Sequence, residues 1–176
     1  LKASNISTVD HRSLPEALNG SSGVFIQKTN HGGGSAFIRG LTGNQTLILV
    51  DGIRLNNSTF RYGPNQYLNT VDIFSIDKIE VAKGIGAVAY GSDALGGTIL
   101  LQTKEQNYSI QPKWGFSNLS RFTSSNIEKT NRTNWGYSSN KIAWDGGISI
   151  KNYGDLLGGG DIGIQRPSGY NELDYN

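Results

Sequence analysis

The chain has 176 residues, of which 36% are hydrophobic, 17% are charged and 24 are glycine, and its net charge is +2. So much glycine argues against a helical bundle and favours a turn-rich β or α+β protein. The small net charge, without a dense run of lysine or arginine, gives no indication of a nucleic-acid partner. Cysteine is absent, which excludes a disulfide framework and a thiolate metal site.

The first predicted element is a short helix. A capping box from Ser13 to Glu16 starts it, with Pro15 in the first turn, and Asn19-Gly20 ends it. No apolar run along the chain approaches the roughly 20 residues of a membrane helix. Any membrane role would therefore have to be built from strands.

Short strands are predicted next, separated by turns. The run TLILV is apolar without interruption, which predicts a fully buried strand, and Asp51-Gly52 after it predicts a sharp turn. Residues 30–35 are predicted as a loop, and the glycine-rich residues 84–97 leave room for one helical turn. The predicted strands cover 24–27, 36–39, 46–50, 76–81 and 98–103. Four or five strands with two short helices predict a compact α+β module.

The pattern changes at about Glu105, where long alternating segments replace the apolar runs. Residues 141–151 alternate between apolar side chains, such as Trp144 and Ile148, and charged or small ones. This period of two over about 11 residues is typical of a transmembrane β-strand. A soluble β-sandwich with one wet face fits the alternation equally well.

Connections and aromatic residues add to the barrel interpretation. A tight turn is predicted at 138–140 and a long loop at 154–171, which matches the short periplasmic turns and long extracellular loops of barrels. Aromatic side chains lie near the ends of the segments, where membrane-interface girdles place them. They are Trp114, Phe116, Trp135 and Tyr137.

Three motifs do not predict function. Residues 84–89 match G-x-G-x-x-A, but the glycines at 91, 96 and 97 leave no helix that could bind a pyrophosphate. N-x-[ST] triplets such as 44–46 are expected by chance in a chain rich in these residues. His11 and His31 are the only histidines and have no catalytic spacing. We therefore expect no enzymatic activity and no cofactor.

Four motifs in order carry a family resemblance. FIRG at 37–40, TLILVDG at 46–52, IEVAKG at 79–84 and YGSDALGGTI at 90–99 resemble the plug of TonB-dependent outer-membrane receptors. The resemblance implies an α+β plug domain at 1–104, with a small mixed four- to five-stranded sheet and short helices. The first antiparallel strands of a transmembrane β-barrel follow at 105–176, about three to four of them, truncated by the end of the chain.

The resemblance assigns two sets of plug residues. Arg39 and Lys83, grouped with Glu80, form an ionic lock to glutamates of the barrel wall that this chain does not contain. Lys83 departs from the usual arginine of the family and lacks the guanidinium fork for bidentate pairing, so a lock there is weaker. The turn motifs are Asp51, Gly52, Gly84, Tyr90, Gly91, Gly96 and Gly97.

Three ligand-facing loops also follow from the resemblance, at 28–34, 42–44 and 56–62. Phe60, Arg61 and Tyr62 give the third loop stacking and cationic character. His31 is a weak candidate for a haem or metal-chelate ligand, and no other metal site is expected. The ligand-facing residues are Lys28, Asn30, His31, Thr42, Asn44, Asn56, Phe60, Arg61 and Tyr62.

By this resemblance the function is transport in the bacterial outer membrane. The protein would bind a scarce nutrient (an iron chelate, haem, cobalamin or a glycan) and gate its energy-coupled import. The implied partners are TonB, through an N-terminal box not present in this sequence, the nutrient and outer-membrane lipid. The alternative is a free-standing soluble ligand-binding or signalling module with a plug-like fold.

Overall fold

A computed structural model describes residues 11–28, 30–56, 63–64, 66–124, 128–155 and 167–176. The chain divides into two compact units, Leu1–Lys104 and Glu105–Asn176. Among the helices of the described residues, none is long and apolar enough to cross a membrane.

Over its described residues, the first unit is a mixed sheet with a separate hairpin and two short α-helices. β3 and β6 are parallel at the centre of a sheet ordered β4–β3–β6–β5, while β1 and β2 form an antiparallel pair. This confirms the predicted α+β class. The elements are α1 (Leu14–Leu18), β1 (Val24–Lys28), β2 (Gly34–Ile38), β3 (Thr46–Val50), β4 (Ile53–Arg54), β5 (Ile76–Lys83), α2 (Ile85–Val88) and β6 (Gly97–Thr103).

The unbroken apolar run of β3 arises because both of its faces are covered. Ile48 packs into the larger core with Leu14 and Ile38, whereas Leu47 and Leu49 point to a second core. A strand buried on both sides needs apolar residues at every position, not at alternate ones. The burial predicted for residues 46–50 is confirmed at every position except Val50, which is half-buried.

Three local expectations need correction. Ser13 is the N-cap of α1, but its side chain makes no capping bond; Glu16 instead accepts the backbone N–H of Arg12 at 2.8 Å. β2 begins at Gly34, inside the predicted loop, because Gly34 pairs with Lys28 of β1; a Cβ at this position would lie 3.1 Å from the Gln27 carbonyl oxygen and 3.3 Å from Pro15. In addition, β4 and the 3₁₀ turns Tyr67–Thr70 and Ile73–Ser75 were not predicted, whereas the 3₁₀ turn Gly43–Gln45 overlaps a turn predicted at 41–44.

The second unit is an antiparallel meander of four strands. They are β7 (Lys113–Phe122), β8 (Glu128–Ser138), β9 (Ala143–Tyr153) and β10 (Tyr170–Tyr175), hydrogen-bonded in sequence order. The turn between β8 and β9 is tight, with the Ser139 N–H donating to the Ile142 carbonyl at 2.7 Å. The predicted long loop ends earlier than expected, since Tyr170 pairs with Tyr153.

Candidate functional site

Arg39 lies at a strained turn after β2. Ile38 and Leu41 exchange backbone hydrogen bonds of 2.9 and 3.0 Å around Arg39 and Gly40, whose φ angles are 54° and 83°. A non-glycine residue in this left-handed region costs about 1 kcal/mol, so the surrounding structure must hold it there. The Arg39 side chain is exposed, and its guanidinium has no ion pair or hydrogen bond in the described part of the chain.

The structure brings Arg39 and Lys83 to one corner of the first unit. The Arg39 N–H donates to the Gly23 carbonyl at 3.3 Å, and a Cβ on Gly84 would lie 3.6 Å from Arg39 Nη1. Lys83 Nζ donates to the Ser22 carbonyl, and a Cβ on Gly23 would lie 3.5 Å from that Nζ. Two cations therefore converge on the Gly23 and Gly84 backbone. We name this the cationic corner.

Glu80 does not belong to the cationic corner. Its carboxylate pairs with Lys78 at 2.5 Å, and the hydrogen bond from that ammonium lowers the pKa of Glu80. Glu80 and Lys83 are three residues apart on β5, so their side chains point to opposite faces of the strand. The structure therefore separates Glu80 from Arg39 and Lys83, and the role of these residues in a lock stays a prediction.

The Asp51-Gly52 turn fastens β3 to β6. Asp51 and Gly52 have φ angles of 49° and 81°, as in the two-residue hairpin turns that suit Asp-Gly. The Asp51 carboxylate accepts the N–H of Thr103 at 2.8 Å and its hydroxyl at 2.7 Å. The Asp51 N–H donates to the Leu101 carbonyl at 2.9 Å. One side chain thus ties the end of the buried strand to its parallel neighbour.

The glycine-rich segment between α2 and β6 is packed closely. A Cβ on Gly96 would lie 2.8 Å from both the Ile38 carbonyl oxygen and Leu41 Cβ, and one on Gly97 would lie 2.7 Å from the Ala82 carbonyl oxygen. The Tyr90 N–H donates to the Ala87 carbonyl at 3.0 Å, which closes the turn after α2, and Tyr90 is 39% exposed. The neighbouring Gly91 has a φ angle of 116° and lies under the Arg54 guanidinium, which pairs with Asp93 at 3.3 Å.

The first predicted ligand loop is held at its base. Lys28 Nζ donates to Glu16 at 2.8 Å, so this ammonium is engaged within the first unit. Asn30 accepts the Gly33 N–H through its side-chain oxygen, which closes the loop. His31 is half-buried and has contacts of its own. Within the described ranges, no three histidine, cysteine or acidic residues lie close enough together to bind a metal ion.

The other two predicted ligand loops contain residues with structural roles. Thr42 is buried, and its hydroxyl donates to the Ala36 carbonyl at 2.7 Å. Asn56 acts as an extra strand residue: its amide accepts the Ile48 N–H at 2.7 Å and donates to the Thr46 carbonyl at 3.0 Å. Both side chains thus have partners within the first unit, and their predicted contact with a ligand stays a prediction.

The remaining members of these loops divide between described and undescribed residues. Asn44 is half-buried, and among the described residues its side-chain oxygen has no hydrogen-bond partner. Phe60, Arg61 and Tyr62 lie outside the described residues, so the predicted aromatic and cationic loop stays a prediction.

The sheet of the second unit has one aromatic face. The strands keep a regular register, so residues facing one side form rows across the sheet. Trp114 packs against Tyr137 at 4.9 Å and Trp144 at 6.1 Å between ring centroids, at the end with the tight turn. We define the aromatic face by its exposed large residues, Trp114, Phe116, Phe122, Trp135, Trp144, Ile148, Ile150, Leu173 and Tyr175.

The opposite side is a polar face that carries buried charges. Lys151 is 3% exposed and pairs with Glu172 at 3.0 Å and Asp174 at 2.7 Å. Glu128 is fully buried and pairs with Arg121 at 3.4 Å. Ile150 is 59% exposed between the buried residues Ser149 and Lys151. This pattern is the reverse of a soluble sandwich, in which apolar side chains are buried and charges face water.

One feature of the aromatic face was missed from the sequence. Asn118, Ser120, Asn131 and Thr133 share this face, and the Asn118 amide donates to Thr133 and the Asn131 amide to Ser120, each at 2.8 Å. Polar groups that satisfy one another cost less in an apolar environment than isolated ones. Only the pairing register of β7 and β8 brings these four residues together.

Residues 1–98 match the family model described as TonB-dependent Receptor Plug Domain. Among curated proteins, the chain is 38% identical over 103 residues to the vitamin B12 transporter BtuB of Vibrio vulnificus strain YJ016, which covers 52% of this chain and 16% of that protein. It is 27% identical over 162 residues to lactoferrin-binding protein A of Neisseria meningitidis serogroup B strain MC58, covering 81% of this chain and 17% of that protein.

Solved structures share the fold across both units. The copper transporter OprC superposes with a TM-score of 0.73 at 19% identity, covering 93% of this chain and 24% of OprC. A mutant ferric enterobactin receptor, PfeA of Pseudomonas aeruginosa, superposes with a TM-score of 0.67 at 23% identity, covering 88% of this chain and 24% of PfeA. The chain spans about a sixth of the length of these curated relatives and about a quarter of these solved proteins.

Proposed function

This chain belongs to the TonB-dependent receptor plug family, and from that premise we propose that it forms the plug and first wall strands of an outer-membrane transporter. The whole protein binds a scarce polar nutrient and gates its energy-coupled import. The observation that carries the proposal is the family match over residues 1–98, followed in the same chain by a sheet whose exposed face is aromatic and whose buried face is charged.

The two faces of the second sheet support a position in a membrane wall. β7, β8 and β9 have 10, 11 and 11 residues, within the range that spans a bilayer as tilted strands. The aromatic face suits contact with lipid, and tryptophan and tyrosine at one strand end suit the membrane interface. The ion pairs around Lys151 suit the wet interior of a barrel.

The cationic corner supports a locking role in the plug. Arg39 is exposed and has no ion pair in the described residues, so it can pair with a carboxylate supplied by the barrel wall. Lys83 is already bonded to the Ser22 carbonyl, and a lysine binds a carboxylate as a point charge rather than as a fork. We therefore assign the stronger contact to Arg39. Polar contacts of this kind hold a plug in place while leaving it movable.

The nutrient is bound at the loops of the plug together with loops of the barrel. Within the described residues, Asn30, His31 and Asn44 remain as plug candidates for this contact. The relatives differ in cargo, since their names specify vitamin B12, copper and ferric enterobactin. TonB opens the path by pulling on a segment that precedes the plug.

Uptake by cells tests this function. A bacterium that encodes the whole protein would be compared with a strain in which the gene is deleted and with one that lacks TonB. Cyanocobalamin, ferric enterobactin and copper would serve as probes. We expect the protein in the outer membrane, and uptake of one probe class that both deletions abolish. A protein found in a soluble fraction, with uptake unchanged in both strains, would refute transport and favour the soluble binding module.

A further inference from the structure

The Glu16 carboxylate joins two separate parts of the first unit. Its Oε2 accepts the Arg12 backbone N–H at 2.8 Å and Arg12 Nε at 3.3 Å. Its Oε1 accepts Arg12 Nη2 at 3.2 Å and Lys28 Nζ at 2.8 Å. We call these three side chains the Glu16 clasp.

The clasp connects the residues just before α1 to the base of the loop at residues 30–33. Arg12 lies immediately before Ser13, the N-cap of α1. Lys28 is the last residue of β1, and residues 30–33 after it form the turn that leads into β2. Sixteen positions of sequence separate Arg12 from Lys28, yet one carboxylate binds both cations.

The surroundings make the clasp firmer than an ordinary surface ion pair. The Glu16 side chain is only 17% exposed, against 27% for Arg12 and 40% for Lys28. Burial alone would raise the pKa of Glu16, but the Lys28 ammonium and the Arg12 N–H and guanidinium outweigh it and lower this pKa to about 2. On its other side α1 is anchored in the core through Leu14 and Leu18.

We propose that the Glu16 clasp is a mechanical relay that couples the chain segment before α1 to the loop at residues 30–33. This rests on the proposed function, in which TonB pulls on the N-terminal segment and the nutrient contacts that loop. A pull on the residues before Arg12 strains the Arg12–Glu16 hydrogen bonds first. Arg12 is the residue of the clasp nearest to the pulled segment, and α1, which carries Glu16, is anchored in the core. Withdrawal of Arg12 displaces Glu16, which in turn releases Lys28 and the loop base.

Hydrogen exchange of the whole protein, without any ligand, tests the relay. Single variants Arg12→Gln and Lys28→Gln would be compared with the double variant, each with Glu16 intact and in a Glu16→Gln background. Lys78→Gln is the matched control, because Lys78 also pairs with a glutamate in this unit, 2.5 Å from Glu80. Amide exchange would be followed at residues 11–13 and 30–33.

We expect each single variant to raise exchange at the distant segment by roughly two- to fivefold, as for the loss of a partly exposed ion pair. Arg12→Gln loosens residues 30–33, and Lys28→Gln loosens residues 11–13. Both distant effects disappear in the Glu16→Gln background, and Lys78→Gln changes neither segment. Effects confined to the substituted segment, or distant effects that persist without Glu16, would overturn the relay.

The exchange result and the transport result are separable. If the exchange effects are coupled as expected but uptake is unchanged by deletion of the gene or of TonB, the proposed function is refuted and the coupling stands. If uptake depends on TonB while the exchange effects stay local, transport stands and the relay falls.

Discussion

Replacing Gly96 with alanine tests how tightly the glycine-rich segment is packed against the turn after β2. The added Cβ would lie 2.8 Å from the Ile38 carbonyl oxygen, 2.8 Å from Leu41 Cβ and 3.3 Å from the Gln45 carbonyl oxygen. Ordinary carbon contacts are about 3.5–4.0 Å, so two of these distances are too short by more than half an ångström. None of these three atoms is the end of a flexible side chain that could swing away.

The neighbours cannot move without loss of hydrogen bonds. Ile38 and Leu41 are joined by two backbone bonds, and Gln45 accepts the Gly96 N–H at 2.8 Å. Overpacking costs about 1–3 kcal/mol, and loss of a buried hydrogen bond adds about 1 kcal/mol. We therefore expect Gly96→Ala to lower the free energy of unfolding of the first unit by roughly 2–4 kcal/mol.

Gly40→Ala is the matched control for this substitution. Gly40 has a φ angle of 83°, and a Cβ there would meet nothing within 4 Å, so alanine would cost only the backbone strain of about 1 kcal/mol. The three tryptophans lie at positions 114, 135 and 144, all in the second unit. Tryptophan fluorescence therefore follows the second unit only. Unfolding of the first unit is measured instead by hydrogen exchange of the β3 and β6 amides. A loss for Gly96→Ala no larger than that for Gly40→Ala would refute the packing argument.

Three other predictions concern charged groups. Asp51→Ala removes both hydrogen bonds to Thr103 and should lower the free energy of unfolding, measured in urea, by about 2 kcal/mol. A loss smaller than half of that would contradict the role of Asp51 in tying β3 to β6. The Glu16 carboxyl should titrate by NMR with a pKa near 2; because this pKa is depressed in the folded state, its stabilisation is complete above about pH 4.5 and is lost as the pH falls toward 2. A titration at the ordinary value would contradict it. Lys151→Ala leaves two half-buried carboxylates without their cation and should cost roughly 1–2 kcal/mol, measured by thermal unfolding against the exposed control Lys129→Ala.

Local signals in the sequence predicted the fold well where a residue pattern fits only one kind of local structure. The apolar run of β3 predicted a buried strand because only a strand covered on both faces needs such a run. Asp51-Gly52 predicted the hairpin turn because both positions have positive φ angles. The alternation along residues 141–151 predicted the two faces of β9.

The prediction failed where a polar side chain pairs with distant backbone. Thr42 and Asn56 look like loop residues, yet the Ala36 carbonyl and the β3 backbone engage them. The four-residue polar cluster around Asn118 exists only through the register of β7 and β8. Such contacts depend on tertiary geometry that spacing along the chain does not contain.

The central claim is that the aromatic face of the second sheet contacts lipid. These 176 residues contain no cysteine; once any cysteine elsewhere in the whole protein is replaced by serine, the fluorescent label of one introduced cysteine marks one position. Ile148→Cys on the aromatic face and Leu119→Cys on the polar face are matched sites, because Ile148 is 40% and Leu119 42% exposed. In the whole protein reconstituted into brominated lipid, we expect strong quenching of the label at 148 and little at 119. Equal quenching at the two sites, or stronger quenching at 119, would contradict the account.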